Sequence, residues 1–572
     1  MLAANAQEAR PDEPTTLLPD ISPQDIEIRG DFRARFAGIS RQPILGFNPT
    51  PRVFRIDPNR MPFIETPEEV VASIPFSELE AELGPERILL QHPPASRIFG
   101  YAGFGSYTSP EARIYGSAPL GSNTALSGRI HFRSSEGHLE QINDGFFGDG
   151  AYRYLDTDIS LRHRLSLNNQ LLVQLRGRYD VTNNQHTQFY TDELQTDLYS
   201  FGTNIAWLST RSAFDQLMVY GRAGYTAATK DLSMTSMPII GPGPPPFLMG
   251  TFDDNSELRF GAGGSYSMSG RSIGNVLRIE THHDTGLYEY RNEDELWWIS
   301  ELAAYWQTRI SAFTEAEIGA RAFAGHDVQN EFMVMAYPFA RIAFTSTDGL
   351  KLHAEVSGEF RNSGLEEPFV TYRNLIDGGL LINEQVIYGK AGAEIEMGDR
   401  LTLHGAFKAS YIRNPRMFTA ANSAFVHPDE LLLLQPSFGF SFDVDPSLLR
   451  VYANGQVNIA NLNDDFFDDF LYLENYRITA GLRSSPMSDL VFTAWADFVG
   501  PAKTENNDML PPQLWTDDLD PFLLLNAKAQ YRFSGQFGIY VEARNILNQE
   551  YARWAYSLER PFQIFGGLTF KL

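Results

Sequence analysis

The chain of 572 residues sets 46 Lys and Arg against 71 Asp and Glu, a formal charge of −25, and contains 13% aromatics, 46 Gly and no Cys. The acid excess argues against a nucleic-acid partner, whose phosphates call for clustered cations. The missing Cys excludes disulfides and Cys-ligated zinc. No run reaches the roughly 18 consecutive apolar residues of a membrane-spanning helix, but barrel strands announce themselves by alternation instead.

The N-terminus reads MLAANAQEARP, where Ala4 and Ala6 flank Asn5 in a small-x-small cleavage pattern. Residues 1–6 are therefore expected to be the remnant of a trimmed signal peptide. Residues 7–94 are Pro-rich and lack sustained periodicity, which predicts a mostly extended N-terminal segment, periplasmic or lumenal. Thr66, with Glu69 three residues on, predicts one short capped helix inside it. Arg29, Arg33, Arg35 and Arg41 offer charge partners for carboxylates on a barrel wall such as Glu355 and Glu394.

From about residue 95 to the end, period-2 alternation takes over. Leu352, Ala354, Val356, Gly358 and Phe360 alternate with Lys351, His353, Glu355, Ser357 and Glu359. Leu403 and Phe407 do the same against His404 and Lys408, and Ala527 and Ala529 against Lys528 and Gln530. The last stretch, FQIFGGLTFKL, puts Phe562, Ile564, Gly566, Leu568, Phe570 and Leu572 on one face. Strands with one oily and one wet face need an apolar environment for the first. About 22 such segments occur. Short turns (167–169, 346–349, 397–400, 534–536) alternate with long connections (232–254, 362–384, 462–475, 502–520). One rim of short turns and one of long loops predicts an all-β, transmembrane antiparallel β-barrel over residues 95–572. Its first partner is membrane lipid, facing Phe407 and Ala529, with Lys408 and Lys528 turned to the lumen and replaceable by Gln at little loss.

No Walker loop, dinucleotide fingerprint, nucleophile elbow or H-E-x-x-H occurs, so neither catalytic residues nor a cofactor are expected. In THHDTG (281–286), His282 and Asp284 share a strand face while His283 points away, so at most two metal ligands converge. The acidic run Asp464, Asp465, Asp468, Asp469 is a weak candidate for a hard cation, though a solvated loop accounts for it better. Its Phe pair and the stiff apolar stretch 236–250 are candidates to cover the barrel mouth or dock a protein partner. LWWIS (296–300) reads as an interfacial aromatic anchor.

The C-terminal segments carry a resemblance. FGIYVEARNILNQEYARW (537–554) followed by ERPFQIFGGLTFKL (559–572) resembles the end of TonB-dependent receptor barrels from the outer membrane of Gram-negative bacteria. Asn545, Leu547, Asn548, Tyr551, Arg560 and Phe570 match that pattern; Leu572 stands where the family ends in Phe. Upstream, ERILLQHPPASRIFGYAGFG (86–105) and IEIRG (26–30) resemble parts of the family's plug. The resemblance implies a barrel with a short, reduced or absent plug, transporting or capturing a bulky ligand. The alternative is a non-transporting barrel that serves as the scaffold subunit of an outer-membrane complex.

Overall fold

The structure is a computed structural model. It describes residues 97–572 apart from 138–146, 149, 186–192, 212–214, 233–253, 270–274, 291–292, 328–331, 348, 363, 372–381, 399, 420–423, 446–447, 505–517 and 555–556. The N-terminal segment with its four arginines, the helix expected after Thr66 and the stretch 236–250 lie outside the described residues.

A single antiparallel ring of strands forms the body of the protein. In chain order these are β1 (Arg97–Gly105), β2 (Ser109–Pro119), β3 (Thr124–Ser135), β4 (Tyr152–Arg164), β5 (Asn169–Gln185), β6 (Glu193–Thr210), β7 (Gln216–Leu232) and β8 (Asn255–Ser269). Then follow β9 (Val276–Tyr290), β10 (Glu293–Arg309), β11 (Thr314–His326), β12 (Phe332–Thr345), β13 (Leu350–Arg361), β14 (Glu384–Met397) and β15 (Leu401–Arg413). The ring continues through β16 (Glu430–Asp445), β17 (Leu449–Asn463), β18 (Tyr476–Met487), β19 (Leu490–Val499), β20 (Phe522–Arg532), β21 (Phe537–Arg544) and β22 (Gln563–Lys571). Strand β17 comes in two pieces, Leu449–Val457 and Ile459–Asn463, both paired with β16. The break falls at Asn458, whose N–H donates to Asn475 O at 2.8 Å. Counted as one strand, the pieces make a closed barrel of 22.

Closure occurs between the two ends of the chain's β region. β1 pairs with β22 from Phe99 opposite Lys571 to Gly105 opposite Phe565, and Ile98 and Leu572 exchange backbone hydrogen bonds of 3.0 and 2.6 Å. The strand pairing therefore leaves no open edge, as lipid demands. At this seam Gly103 has no room for a side chain. A Cβ there would lie 2.2 Å from Tyr540 Oη and 2.8 Å from Gly566 O.

The barrel is polar inside and apolar outside. Ile130, Ile159, Phe201, Leu302, Val356, Phe407, Phe438, Val541 and Leu568 are exposed on the outer face, where lipid covers them. Glu111, His131, Asp156, Glu257, Asp284, Lys528 and Glu542 are buried on the inner face. The closing strand follows its expected alternation: Ile564, Leu568 and Leu572 are exposed, while Phe565 and Thr569 are buried. Strand length varies around the ring. β21 has 8 residues and β22 has 9, about one bilayer crossing, whereas β5, β6, β7 and β10 have 17, 18, 17 and 17 and run beyond the apolar band.

Two expectations about facing are corrected near the long-loop rim. Phe360 is 6% exposed and packs edge-on against Phe323, with ring centroids 6.4 Å apart, rather than facing lipid. Trp297 is fully buried on the inner face, so only Trp298 serves as an outward aromatic, beside exposed Phe332 at 6.1 Å. Both inward rings join a cluster with the connection that follows β13. Alternation alone does not show that a loop supplies apolar cover there.

Ala527 sits at the centre of β20 on the outer face. Ala527→Arg should lower the free energy of unfolding in lipid vesicles by about 2–4 kcal/mol, read from urea titration, and Ala529→Arg by less because it lies nearer the short-turn rim. Equal stability of Ala527→Arg and the native barrel would contradict the assigned outer face.

Candidate functional site: the charged lumen and its external mouth

The connection from β21 to β22 lies on the long-loop rim and contains the sequence motif. Asn545 and Asn548 adopt left-handed backbone, φ +48° and +51°, a conformation Asn accepts more readily than most residues. Asn545 is 3% exposed; its Oδ1 accepts from Gln549 N (3.0 Å) and its Nδ2 donates to Gln549 O (2.8 Å). Asn548 Oδ1 accepts from Phe562 N at 2.8 Å, which fixes the start of the last strand. Leu547 is exposed, whereas the Tyr551 ring lies 4.4 Å from that of Phe522. Arg560 is buried with its guanidinium 4.8 Å from the Tyr152 ring, tying this loop to β4. Phe570 packs half-buried opposite Phe537 at the seam.

Charged side chains cross-link neighbouring strands around the inner wall. Lys528 reaches Glu542 at 3.0 Å and Arg544 reaches it at 2.5 Å, and the Lys528 and Glu542 side chains are 10% and 3% exposed. Lys528 thus lies on the lumenal face, and its partner Glu542 is nearly closed off from water. Lys390 meets Glu355 at 3.2 Å, and Arg321 meets Glu301 at 2.7 Å. His282 and Asp284 do share the inner face, but Asp284 is taken by Arg222, by Arg259 at 2.9 Å and by His282 at 3.0 Å. His283 points outward to Ser300 Oγ, 2.7 Å away.

The densest charge lies on β2 to β5. Register sets Arg113, His131, Asp156 and Arg178 in one cross-strand row. The flanking rows are Glu111, Arg133, Tyr154, Asp180 and Tyr115, Arg129, Asp158, Arg176. The signal was present in R-x-H-x-R (129–133) and R-x-R (176–178), spacings that put each charge on one strand face. Sequence reasoning passed over them because each strand alone carries only two or three.

The connection after β13 folds inward over the mouth. A single-turn helix, α1 (Glu366–Thr371), follows the left-handed Gly364 (φ +69°). Leu365 is fully buried and Phe369 nearly so, in the cluster with Leu198, Tyr288, Trp297 and Phe323. Glu257 accepts from both Trp297 Nε1 (2.9 Å) and Leu365 N (2.8 Å), and the Arg259 guanidinium lies 5.0 Å from the Trp297 ring. Glu366 reaches Arg176 at 3.2 Å and Ser200 Oγ at 3.0 Å. Phe418, Phe425, Tyr472 and Trp554, from three other connections, extend the apolar lining.

The acidic run forms a turn. Asp464 Oδ1 accepts from Phe466 N (2.8 Å) and Phe467 N (3.1 Å), while Asp465, Asp468 and Asp469 are exposed. Phe470 packs against a cluster built on Val386, Ile412 and Leu431, and Phe466 stays exposed. Among the described residues no group of three acidic, His or Cys side chains is arranged to hold a metal. Next to this turn Lys503 donates to Asp518 at 2.7 Å, which raises the lysine pKa above its ordinary value.

No family model and no curated relative matches the chain. Solved structures do. The FrpB iron transporter of Neisseria meningitidis superposes with a TM-score of 0.65 at 10% identity, covering 85% of this chain and 83% of that one. The ferric enterobactin receptor PfeA of Pseudomonas aeruginosa gives 0.64 at 13%, with 84% and 82% covered. The siderophore receptor PirA of Acinetobacter baumannii gives 0.62 at 10%, with 83% and 80% covered. At such identities the likeness is one of fold. The chain has the closed 22-strand β-barrel fold of TonB-dependent receptors.

Replacing Lys528 by Gln leaves Glu542 buried with Arg544 alone. Its loss should cost about 2 kcal/mol of unfolding free energy, against less than about 0.5 kcal/mol for Lys351→Gln on the exposed short-turn rim. Urea titration of the two variants side by side checks the difference.

Proposed function

We propose that this chain is an outer-membrane receptor that captures a bulky ligand at its external mouth and admits it to the periplasm. Closure of the 22-strand ring carries this reading. Barrels of that size are too wide for inward side chains to fill, and those known hold a plugged lumen. The three superposed proteins are named as an iron transporter and as receptors for siderophores. Their cargo sets the scale expected here: a ligand too large for a passive pore.

Residues 7–94 are the natural occluding element in this reading, entering the lumen or capping its periplasmic side as a reduced plug. Arg29, Arg33, Arg35 and Arg41 would then pair with lumenal carboxylates, and the many prolines lower the entropy lost on ordering an extended chain. Exposed Phe466 on the external rim supports a second reading, a scaffold barrel that docks a protein partner.

Planar-bilayer conductance separates these ideas. The protein lacking residues 7–94 should show large open-pore steps that the intact protein lacks. Identical currents from both would remove the plug, and a sealed lumen in both would favour the scaffold.

A further inference from the structure

The outer wall carries a notch of about 340 Å³ across β4 to β7, within the size range of small-molecule sites. Two cross-strand rows build it. Register sets Leu155, Tyr179 and Tyr199 in the upper row and Thr157, Gly177, Phe201 and Tyr225 in the row beneath. All of these face outward, with Tyr199, Phe201 and Tyr225 well exposed. The dent is due to Gly177. A Cβ there would meet only Thr157 Oγ1, at 2.9 Å, while the other members of its row all stand out from the wall. Thr157 donates its hydroxyl to Gly177 O at 3.1 Å, so that donor is not offered to the notch.

The ring above the dent is drawn away from it. Tyr199 stacks on Tyr179 at 5.0 Å, and its hydroxyl donates to Asp197 Oδ2 at 3.3 Å, two residues nearer the long-loop rim. That bond turns the phenol toward the rim and leaves the wall beneath it uncovered. Depth says what solvates the gap. Gly177 is eight residues from Asn169, the short-turn end of β5. At about 3.3 Å per residue and a tilt near 40°, it stands roughly 20 Å up an apolar band about 25 Å tall. The stacked tyrosines then fall at the level where aromatic girdles meet headgroups. One row higher, Arg153 shares its register with Val181 and Asp197. Arg153 is exposed on the same face and makes no hydrogen bond or ion pair among the described residues. Asp197 is engaged by Gln195 Nε2 at 2.8 Å as well as by Tyr199.

We propose that this notch is a specific lipid site, which takes one acyl chain over Gly177 and the lipid's phosphate at Arg153. The vertical order carries it: a side-chain-free floor in hydrocarbon, tyrosines at the interface and an unengaged cation at headgroup height. A guanidinium suits a phosphate in paired, charge-assisted bonds. A second copy of the chain fits the face less well. A two-fold contact centred on the notch would set Arg153 near its own equivalent, like charge against like. The site goes beyond the receptor reading and does not depend on what passes through the lumen.

Native mass spectrometry of the full chain released from neutral detergent tests it, with dioleoylphosphatidylglycerol and dioleoylglycerol as separate probes. Saturable retention of one phosphatidylglycerol per barrel is expected, with the headgroup-free lipid about threefold weaker. Gly177→Leu fills the notch and should weaken both about tenfold, as lost methylene burial requires. Arg153→Gln should weaken phosphatidylglycerol about threefold and leave dioleoylglycerol unchanged. Gly389→Leu is the control: it faces outward on β14 at the same height, where a Cβ has 3.8 Å to Val356 Cγ2, and should change neither. Heat-modifiable migration on gels shows that each variant is a folded barrel, and the exposed Arg153→Gln decides the matter if Gly177→Leu does not fold. Native retention in folded Gly177→Leu overturns the proposal, as does equal loss in Gly389→Leu or an equal effect of Arg153→Gln on both lipids. A barrel dimer that Gly177→Leu dissociates would give the face to a second copy and overturn it as well.

Discussion

Everything in this protein depends on one requirement: a backbone amide in hydrocarbon must find its hydrogen-bond partner within the protein. A sheet satisfies that demand only by closing, and closing means that β1 must meet β22 across more than 450 residues of intervening chain. The seam shows how tightly this is specified. Gly103 and Gly567 leave room for the Tyr540 ring, which packs edge-on against Tyr101, while the Asn545 and Asn548 turn sets where the last strand begins. Strand β22 is thus the closing stave of the wall, paired on both sides.

Closure in lipid also inverts the usual arrangement of polarity. Outside, aliphatic and aromatic side chains are solvated by acyl chains and contribute little to choosing one register over another. Inside, the register is read by charge: Lys528 with Glu542, Arg321 with Glu301 and Lys390 with Glu355 each join adjacent strands. A slip of one residue would send these groups into hydrocarbon, at a cost of several kcal/mol per charge near the midplane. The lumenal network therefore specifies register, whatever it adds to stability.

The mouth is the place where the inner surface behaves like a soluble core. There the long strands β5 to β10 rise beyond the apolar band and offer Leu198, Tyr288 and Trp297 as a floor for a loop. Apolar burial holds Leu365 and Phe369, and a small number of ionic contacts aims α1 at the arginine wall. Burial is insensitive to what else enters the lumen, whereas the ionic contacts are exchangeable with any competing anion.

Period-2 alternation, the rims of short and long connections and the Asn545–Leu547–Asn548 turn were all legible in the sequence. Each is a local property: side-chain facing follows from the pleat, and a left-handed turn follows from residue type over a few positions. Trp297 and Phe360 were misjudged because facing near a rim depends on which loop folds over the strand, and α1 comes from another part of the chain. The charged rows on β2 to β5 were legible only in fragments, since R-x-H-x-R and R-x-R acquire meaning when the register sets them side by side. Glu366 and Arg176 are 190 residues apart, and nothing in either neighbourhood announces the other. Local periodicity determined the wall of this protein. What the wall holds was decided by the tertiary structure, because charges meet across strands according to register and across the lumen according to loop path, and neither is written in any one segment.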